Sequence, residues 1–405
     1  MKTPLAWKNL VHNKVRTFVA LAGVGFAVIL IFMQMGFKGG IKKTATQIFD
    51  AMQFDLMLRS PSYLFLTDPR TFPRERIYQA ASLPEVAAAR PFYLGLTEWQ
   101  RPQPGSAPRG GWEGEWRGII AMATEPHDPV FKPQEIREQA KRLTDSRFVL
   151  MDRKSKREYG PANGYRFGPD DLGVQTSLGK GRFEIVGTFE LGTGLASNGA
   201  CLTNIQGFAT SCYWQPLDQL NFGLVTLRPG TDLETARARL QQLLGVPQTE
   251  GPVSATPADV EVLTRAEVNA REEHRWVVET PLGKIFNLMV WVALLVGVAI
   301  VYQVLSTDIS NMLSEYATLK AMGYSAKYLT KVVLNQAVLL ALVGYLPSLL
   351  ISWGLYEIIE QRSGMPMDMT WPIAGVVAVL TVVMCVLSGM AALRKLFAAD
   401  PADLF

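Results

Sequence analysis

The stretch STDISNMLSEYATLKAMGYSA, residues 306–326, decides how the rest of the chain is read. It lies between two long apolar runs and is itself neither apolar nor loop-like. Ile309, Met312, Leu313, Tyr316, Leu319 and Met322 recur at three- and four-residue spacing, so a helix built from it carries one greasy stripe and one wet face. That pattern predicts a short helix lying at a membrane surface. Gly323 follows the last periodic residue, where a left-handed position closes a helix, and Ser325 is suited to cap the next one. The chain is therefore expected to turn sharply there and re-enter the membrane.

Outward from this stretch, four apolar runs approach the roughly 20 residues needed to cross a hydrocarbon core of about 30 Å at about 1.5 Å per residue. They occupy 17–38, 282–305, 328–352 and 371–393. The chain is 48% hydrophobic and 19% charged, and the excess apolarity sits at its two ends; residues 39–281 have the Gly-, Pro-, Arg- and Glu-rich composition of a water-soluble domain. The expected architecture is a membrane α-helical protein of four transmembrane helices, with a large mixed α+β extracytoplasmic domain inserted between the first and second spans. Residues 1–16 form a basic amphipathic lead-in, 306–327 the cytoplasmic helix, 353–370 a short outer loop and 394–405 a tail. A basic start before an apolar run also opens signal peptides, but this run is long and no Ala-x-Ala-like site closes it, so it is read as an uncleaved anchor.

Charge sets the orientation. Lys2, Lys8, Lys14 and Arg16 precede the first span, Lys320, Lys327 and Lys331 flank the middle helix, and Arg394 and Lys395 follow the last span, whereas the 353–370 loop sets Arg362 against Glu357, Glu360 and Asp368. By the positive-inside rule both termini and the middle helix are cytoplasmic. Lys38, Lys42 and Lys43 point the other way, but a long translocated domain follows them and such domains cross largely regardless of charge.

Within 39–281, strand-like runs fall at 54–58, 86–97, 116–123, 148–151, 183–189 and 224–227, separated by Gly and Pro clusters. Capping boxes at Thr231–Glu234 and Thr264–Glu267 open two helices, the second leading towards the second span and bent or interrupted around Pro281. Several function classes drop out. A net charge of +4 with no basic stripe excludes a nucleic-acid binder. No phosphate-binding loop occurs, since Gly179-Lys180-Gly181 lacks the spacing and the following hydroxyl. His12, His127 and His274 lack metal or triad spacing, so no catalytic, cofactor or metal residues are expected. The span middles carry no ionisable side chain, hence no proton relay. Gln34, Asn287, Asn335 and Gln336 read as helix-packing amides, and small-residue pairs such as Gly23/Ala27, Ala293/Gly297 and Ser388/Ala392 permit close helix approach. Gly344 and Pro347 mark a bend or hinge in the third span. Cys385 is packing volume; Cys201 and Cys212 fall in the translocated domain, and a disulfide closing a short loop and two free thiols are equally compatible with their spacing.

Glu315-Tyr316-Ala317-Thr318-Leu319-Lys320-Ala321-Met322-Gly323-Tyr324-Ser325 resembles the cytoplasmic coupling segment of the MacB/FtsX family of ABC-transporter permeases, closest to the DevC branch. Amphipathicity alone would fit an interfacial linker; the Glu…Leu-Lys-Ala-Met-Gly spacing separates the two. Phe148 to Asp152, Gly181 to Phe189 and Asn198-Gly199-Ala200 resemble the family's periplasmic core, and Asp400-Pro401-Ala402-Asp403-Leu404 its usual C-terminus. The resemblance implies a non-enzymatic exporter permease of the bacterial cytoplasmic (inner) membrane, with a separate ABC ATPase subunit docking on Ile309, Met312, Glu315, Tyr316, Leu319, Lys320, Met322 and Gly323. It also implies a second permease copy as a homodimer, a membrane-fusion adaptor protein leading to an outer-membrane channel, and a lipid or amphipathic cargo driven outward by mechanotransmission. MacB itself carries a fused ATPase; none precedes the first span here, which motivates the separate subunit. An FtsX-like signalling scaffold or a lipoprotein-releasing permease would use the same helix and move no small-molecule cargo.

Overall fold

A computed structural model describes residues 14–102, 114–192, 197–246, 259–311, 322, 326–363 and 365–398. The chain forms two compact units, one from 1–40 with 277–405 and one from 41–276.

The first unit is a helical bundle. Helix α1 (Lys14–Ala51) opens the chain, and after the second unit come α7 (Pro281–Asn311), α8 (Ala326–Ser363) and α9 (Trp371–Ala398). All four are long and apolar enough to cross a membrane. Val24, Ala27, Val28, Ile31 and Phe32 of α1 pack with Ala293, Val301 and Leu305 of α7, Ala337 and Leu340 of α8, and Val377 and Met384 of α9. Without a hydrophobic drive between helices in lipid, close approach at small residues and interhelical hydrogen bonds supply the cohesion. A Cβ on Gly297 would lie 2.8 Å from the Ala27 Cβ and closer still to the Met384 sulfur, so α1, α7 and α9 meet at a residue that tolerates no side chain. Gly23 likewise faces Ile300, and the Ser388 hydroxyl donates across to the Val298 carbonyl at 2.9 Å. Three of the small-residue pairs legible in the sequence thus lie at helix contacts.

The second unit begins with the last turns of α1. Hydropathy ends the first span at 38, yet the helix runs on to Ala51 because Ile41, Ala45, Ile48 and Phe49 repeat at helical spacing and are buried. Its strands are β1 (Leu56–Arg59), β2 (Phe72–Pro73), β3 (Val86–Gln100), β4 (Trp116–Ala123), β5 (Phe148–Asp152), β6 (Gln175–Leu178), β7 (Gly181–Phe189), β8 (Ala200–Thr203), β9 (Gln219–Leu220), β10 (Phe222–Leu227) and β11 (Glu261–Thr264). Nine of them order as β11-β1-β10-β3-β4-β8-β5-β7-β6. β6 also returns to the far end of β3, pairing Trp99 with Leu178 and Gln100 with Ser177. The strands from β3 to β6 therefore close into a circuit, which removes two free edges.

The period of two divides side chains between two cores. Tyr93 and Trp99 of β3 point into one, with Ile77 and Ala80 of α2 (Glu75–Ala81), Phe208 of α4 (Ile205–Ser211) and Leu240 of α5 (Leu233–Leu244). Phe92 and Leu94 point into the other, with Ile48, Phe49 and Met52 from the end of α1, Ile136 of α3 (Gln134–Ala140) and Val268 of α6 (Arg265–His274). One expectation changes at α5: Asp232 is its N-cap, accepting from the Thr235 amide at 2.8 Å, so the Thr231–Glu234 box is not used. At α6 the expected box forms in full: the Thr264 amide donates to Glu267 Oε2 at 2.9 Å and the Glu267 amide to Thr264 Oγ1 at 3.3 Å.

Candidate functional site

α7 ends at Asn311 and α8 begins at Ala326, bracketing the predicted coupling helix. Met312, Glu315, Tyr316, Leu319, Lys320 and Gly323 lie outside the described residues. Ile309, in the last turn of α7, is buried in the bundle core, and Met322 stands exposed in a turn.

Gly344 and Pro347 both lie inside α8, which is helical throughout Ala326–Ser363. Gly344 has a steric reason: a Cβ there would sit 2.9 Å from Val24 Cγ1. The adjacent Ser348 hydroxyl lies 2.7 Å from the Gly344 carbonyl and 3.3 Å from that of Gly25. The pair thus marks where α8 is drawn against α1, and the missing Pro347 amide lies at that contact.

Within the second unit, the end of α1 is held by side chains that sequence inspection passed over. A helix leaves its last four carbonyls without intrahelical donors. Here the Arg265 guanidinium takes the Phe49 carbonyl at 3.0 Å and those of Met52 and Phe54 at 2.8 Å each, while stacking 4.0 Å over the Phe54 ring. Lys132 Nζ takes the Asp50 carbonyl at 3.0 Å, and the Lys132 amide takes that of Ala51 at 2.8 Å. Two cations at the negative end of a helix dipole are favourably placed. Burial, then the neighbouring Arg265 charge, lowers the Lys132 ammonium from its ordinary value, with Asp50 opposing. One and two turns further along α6, Asn269 donates to Asp50 Oδ1 at 2.8 Å and Glu273 pairs with Lys42 at 3.0 Å. Positions 265, 269 and 273 share one helix face, so α6 is riveted to the last turns of α1 along its length. The four-residue spacing of the polar residues Arg265, Asn269 and Glu273 was the available signal; the residues they hold on α1 are more than two hundred positions away in sequence.

On the neighbouring face of α6, Glu272 is 1% exposed and its Oε1 lies 3.6 Å from Nη1 of the equally enclosed Arg59 on β1. Arg59 also bonds Glu261 at 2.6 Å and stacks over Tyr63. Burial raises the Glu272 carboxyl above its usual range, against the pull of the Tyr63 hydroxyl and then of Arg59 and Arg275.

Cys201 and Cys212 are free thiols buried in the same core. Cys212 packs over β3, where its sulfur would lie 2.9 Å from a Cβ on Gly95. Burial pushes the Cys212 thiol up to about 12 and also raises Cys201. Among the described residues no group of His, Cys, Asp and Glu is placed to hold a metal ion.

The model of the MacB-like periplasmic core domain matches residues 17–243, more than half of the 405-residue chain, and that of the FtsX-like permease C-terminal region matches 287–401. This chain belongs to the MacB/FtsX-like family of ABC permeases. It is thus the membrane component of such a system and not its catalytic one, in a family that works with an ATPase, and its four apolar helices place it in the inner membrane. Among solved structures it is similar to the periplasmic region of MacB from Actinobacillus actinomycetemcomitans, at 8% identity and a TM-score of 0.34, over 56% of this chain and 95% of that one. It is also similar to the extracellular domain of the noncanonic ABC-type transporter YknZ from Gram-positive bacteria, at 13% identity and a TM-score of 0.31, over 52% and 99%. None of the curated proteins compared matches the permease.

Proposed function

We propose that the permease is an exporter subunit of the DevC branch, worked from the cytoplasmic side by a separate ATPase subunit that docks on the helix of residues 306–327 and on the lead-in of residues 1–16. The carrying observation is the coupling motif, placed between α7 and α8 inside the region matched by the FtsX-like model. In this reading Glu315 and Lys320 form the wet face that the ATPase grips, and Leu319 and Met322 the greasy face that holds the helix at the membrane. Both termini are cytoplasmic, and the spans and loops follow the boundaries read from hydropathy and charge. Two copies act together, and their extracytoplasmic domains meet a membrane-fusion adaptor that receives a lipid or amphipathic cargo.

One feature supports force transmission: small-residue and carbonyl contacts such as those of Gly297 and Ser388 hold the helices of the bundle close together. The test is Glu315→Lys in the full permease with its ATPase. Membrane insertion should be unchanged while ATP hydrolysis no longer drives export. Normal export by this variant would overturn the docking assignment. Purification with bound partners separates the scaffold reading: an adaptor in the complex supports export, and a cell-wall hydrolase supports signalling.

A further inference from the structure

Gly179-Lys180-Gly181, which is no phosphate loop, has a different use in the second unit. Gly179 and Lys180 are the two residues that turn β6 into β7, and Gly179 takes φ +56° at the first of them, where glycine is favoured. A Cβ on Gly179 would run into the Ser211 carbonyl, and one on Gly181 would lie 2.7 Å from Thr210 Cγ2. The turn is therefore seated on the end of α4, and Lys180 leaves it with Nζ 3.5 Å from the centre of the Tyr213 ring. Trp214 meets that ring edge-on, with centroids 5.3 Å apart. Behind them the chain is fixed. The buried side chains of Gln215 and Asn221 exchange hydrogen bonds at 2.8 and 3.3 Å, and the Tyr93 hydroxyl donates to the Leu217 carbonyl at 2.7 Å. Yet Tyr213 and Trp214 remain 55% and 51% exposed.

We propose that Lys180, Tyr213 and Trp214 form a docking surface for a second, different protein, which offers a carboxylate to Lys180 and an apolar side chain to the two rings. Tryptophan and tyrosine on a rigid support make interface hot spots, because wide rings with few rotamers lose little freedom on binding. The lysine, already resting on an aromatic face, is held in the same way. Charge sets what the partner must carry. Among the described residues Lys180 has no ion pair. α4 contains no charged residue, and the one carboxylate in 212–220 belongs to Asp218, at the far end of the loop, where its carbonyl accepts the Arg74 amide at 2.7 Å. Glu98 accepts the Gly179 amide on its carbonyl at 2.8 Å, but its side chain leaves the face of β3 opposite Thr97. The end of α4 lies on the Thr97 face, where the Thr97 hydroxyl donates to the Ser211 carbonyl at 2.7 Å. Rings that stand out from the surface suit a protein face, whereas sites for small ligands enclose most of the ligand. The surface serves equally in an exporter and in a signalling scaffold.

The test is crosslinking of the full permease, in membranes of the cells that make it, with a water-soluble carbodiimide, which joins an amine to a carboxylate in direct contact. Lys42 and Glu273, paired at 3.0 Å, supply the internal control. Mass spectrometry should find Lys180 joined to an aspartate or glutamate of another protein. Tyr213→Ala and Trp214→Ala should each lower that product at least tenfold, with the control link unchanged as the sign that the variants are folded. A control link with Lys180 joined to nothing would overturn the proposal, as would a Lys180 link to this same sequence or one indifferent to both substitutions. A photoreactive phenylalanine analogue in place of Trp214 should give adducts with the same partner protein; adducts with lipid alone would overturn the proposal in favour of a membrane contact.

Discussion

Replacing Arg265 tests whether the end of α1 is anchored as the geometry indicates. Its guanidinium holds three main-chain carbonyls at 2.8–3.0 Å and covers the Phe54 ring. Hydrogen bonds to a charged donor contribute about 1.5–3 kcal/mol each. Three bonds sharing one half-buried group do not add, and the freed carbonyls regain some water, so Arg265→Met should destabilise the helix end by about 2–4 kcal/mol. Arg265→Lys keeps a single donor point and should recover about half of that loss, because an ammonium cannot fork across carbonyls on both sides of the helix end. At about 1.4 kcal/mol per decade, the Met variant should speed local opening roughly 30- to 700-fold. The assay is hydrogen-exchange mass spectrometry of the full permease in nanodiscs, reading peptides over residues 45–54. Exchange within threefold of the parent protein in Arg265→Met would refute the anchoring argument, as would a Lys variant worse than the Met variant.

Other expectations follow from single contacts. Gly297→Leu should force α1, α7 and α9 apart and destabilise the bundle by about 1–3 kcal/mol, read as a lowered thermal midpoint in detergent, whereas the same change at Gly375, which has open space, should be nearly silent. Thr264→Ala removes the α6 cap and should cost about 1 kcal/mol in chemical denaturation. Glu272, raised in the folded state, binds its proton more tightly there than when unfolded; its contribution is greatest below the ordinary glutamate value of about 4.3 and is lost as pH rises through the higher folded value. Glu272→Gln should therefore match the parent protein in acid and gain on it towards neutral pH, and a variant that loses stability with rising pH as steeply as the parent would contradict this. Cys201 and Cys212 should resist a maleimide until the protein is unfolded, then both react without prior reduction; a reductant requirement would show a disulfide.

Reading the residues alone reached the class, the four apolar helices and the family, because the signals involved are local. A run of some twenty apolar residues, a period of 3.6 and a capping box with its hydroxyl and carboxylate three residues apart need no knowledge of distant partners. Thr264 and Glu267 were legible for that reason, and so were Gly297 and Ser388 as points of close approach. Ile41, Ala45, Ile48 and Phe49 were legible in principle but hidden behind a hydropathy reading that stops at Lys38.

Tertiary structure alone decided the rest. The closure of β6 onto β3 joins Trp99 to Leu178, and Arg265 caps a helix that ends far upstream of it. Whether Cys201 and Cys212 join depends on how α4 lies over β3, not on their spacing. Such pairings are long-range contacts selected by burial and hydrogen-bond satisfaction over the whole domain, and a linear string of residues carries no record of which buried carbonyl a given arginine will meet.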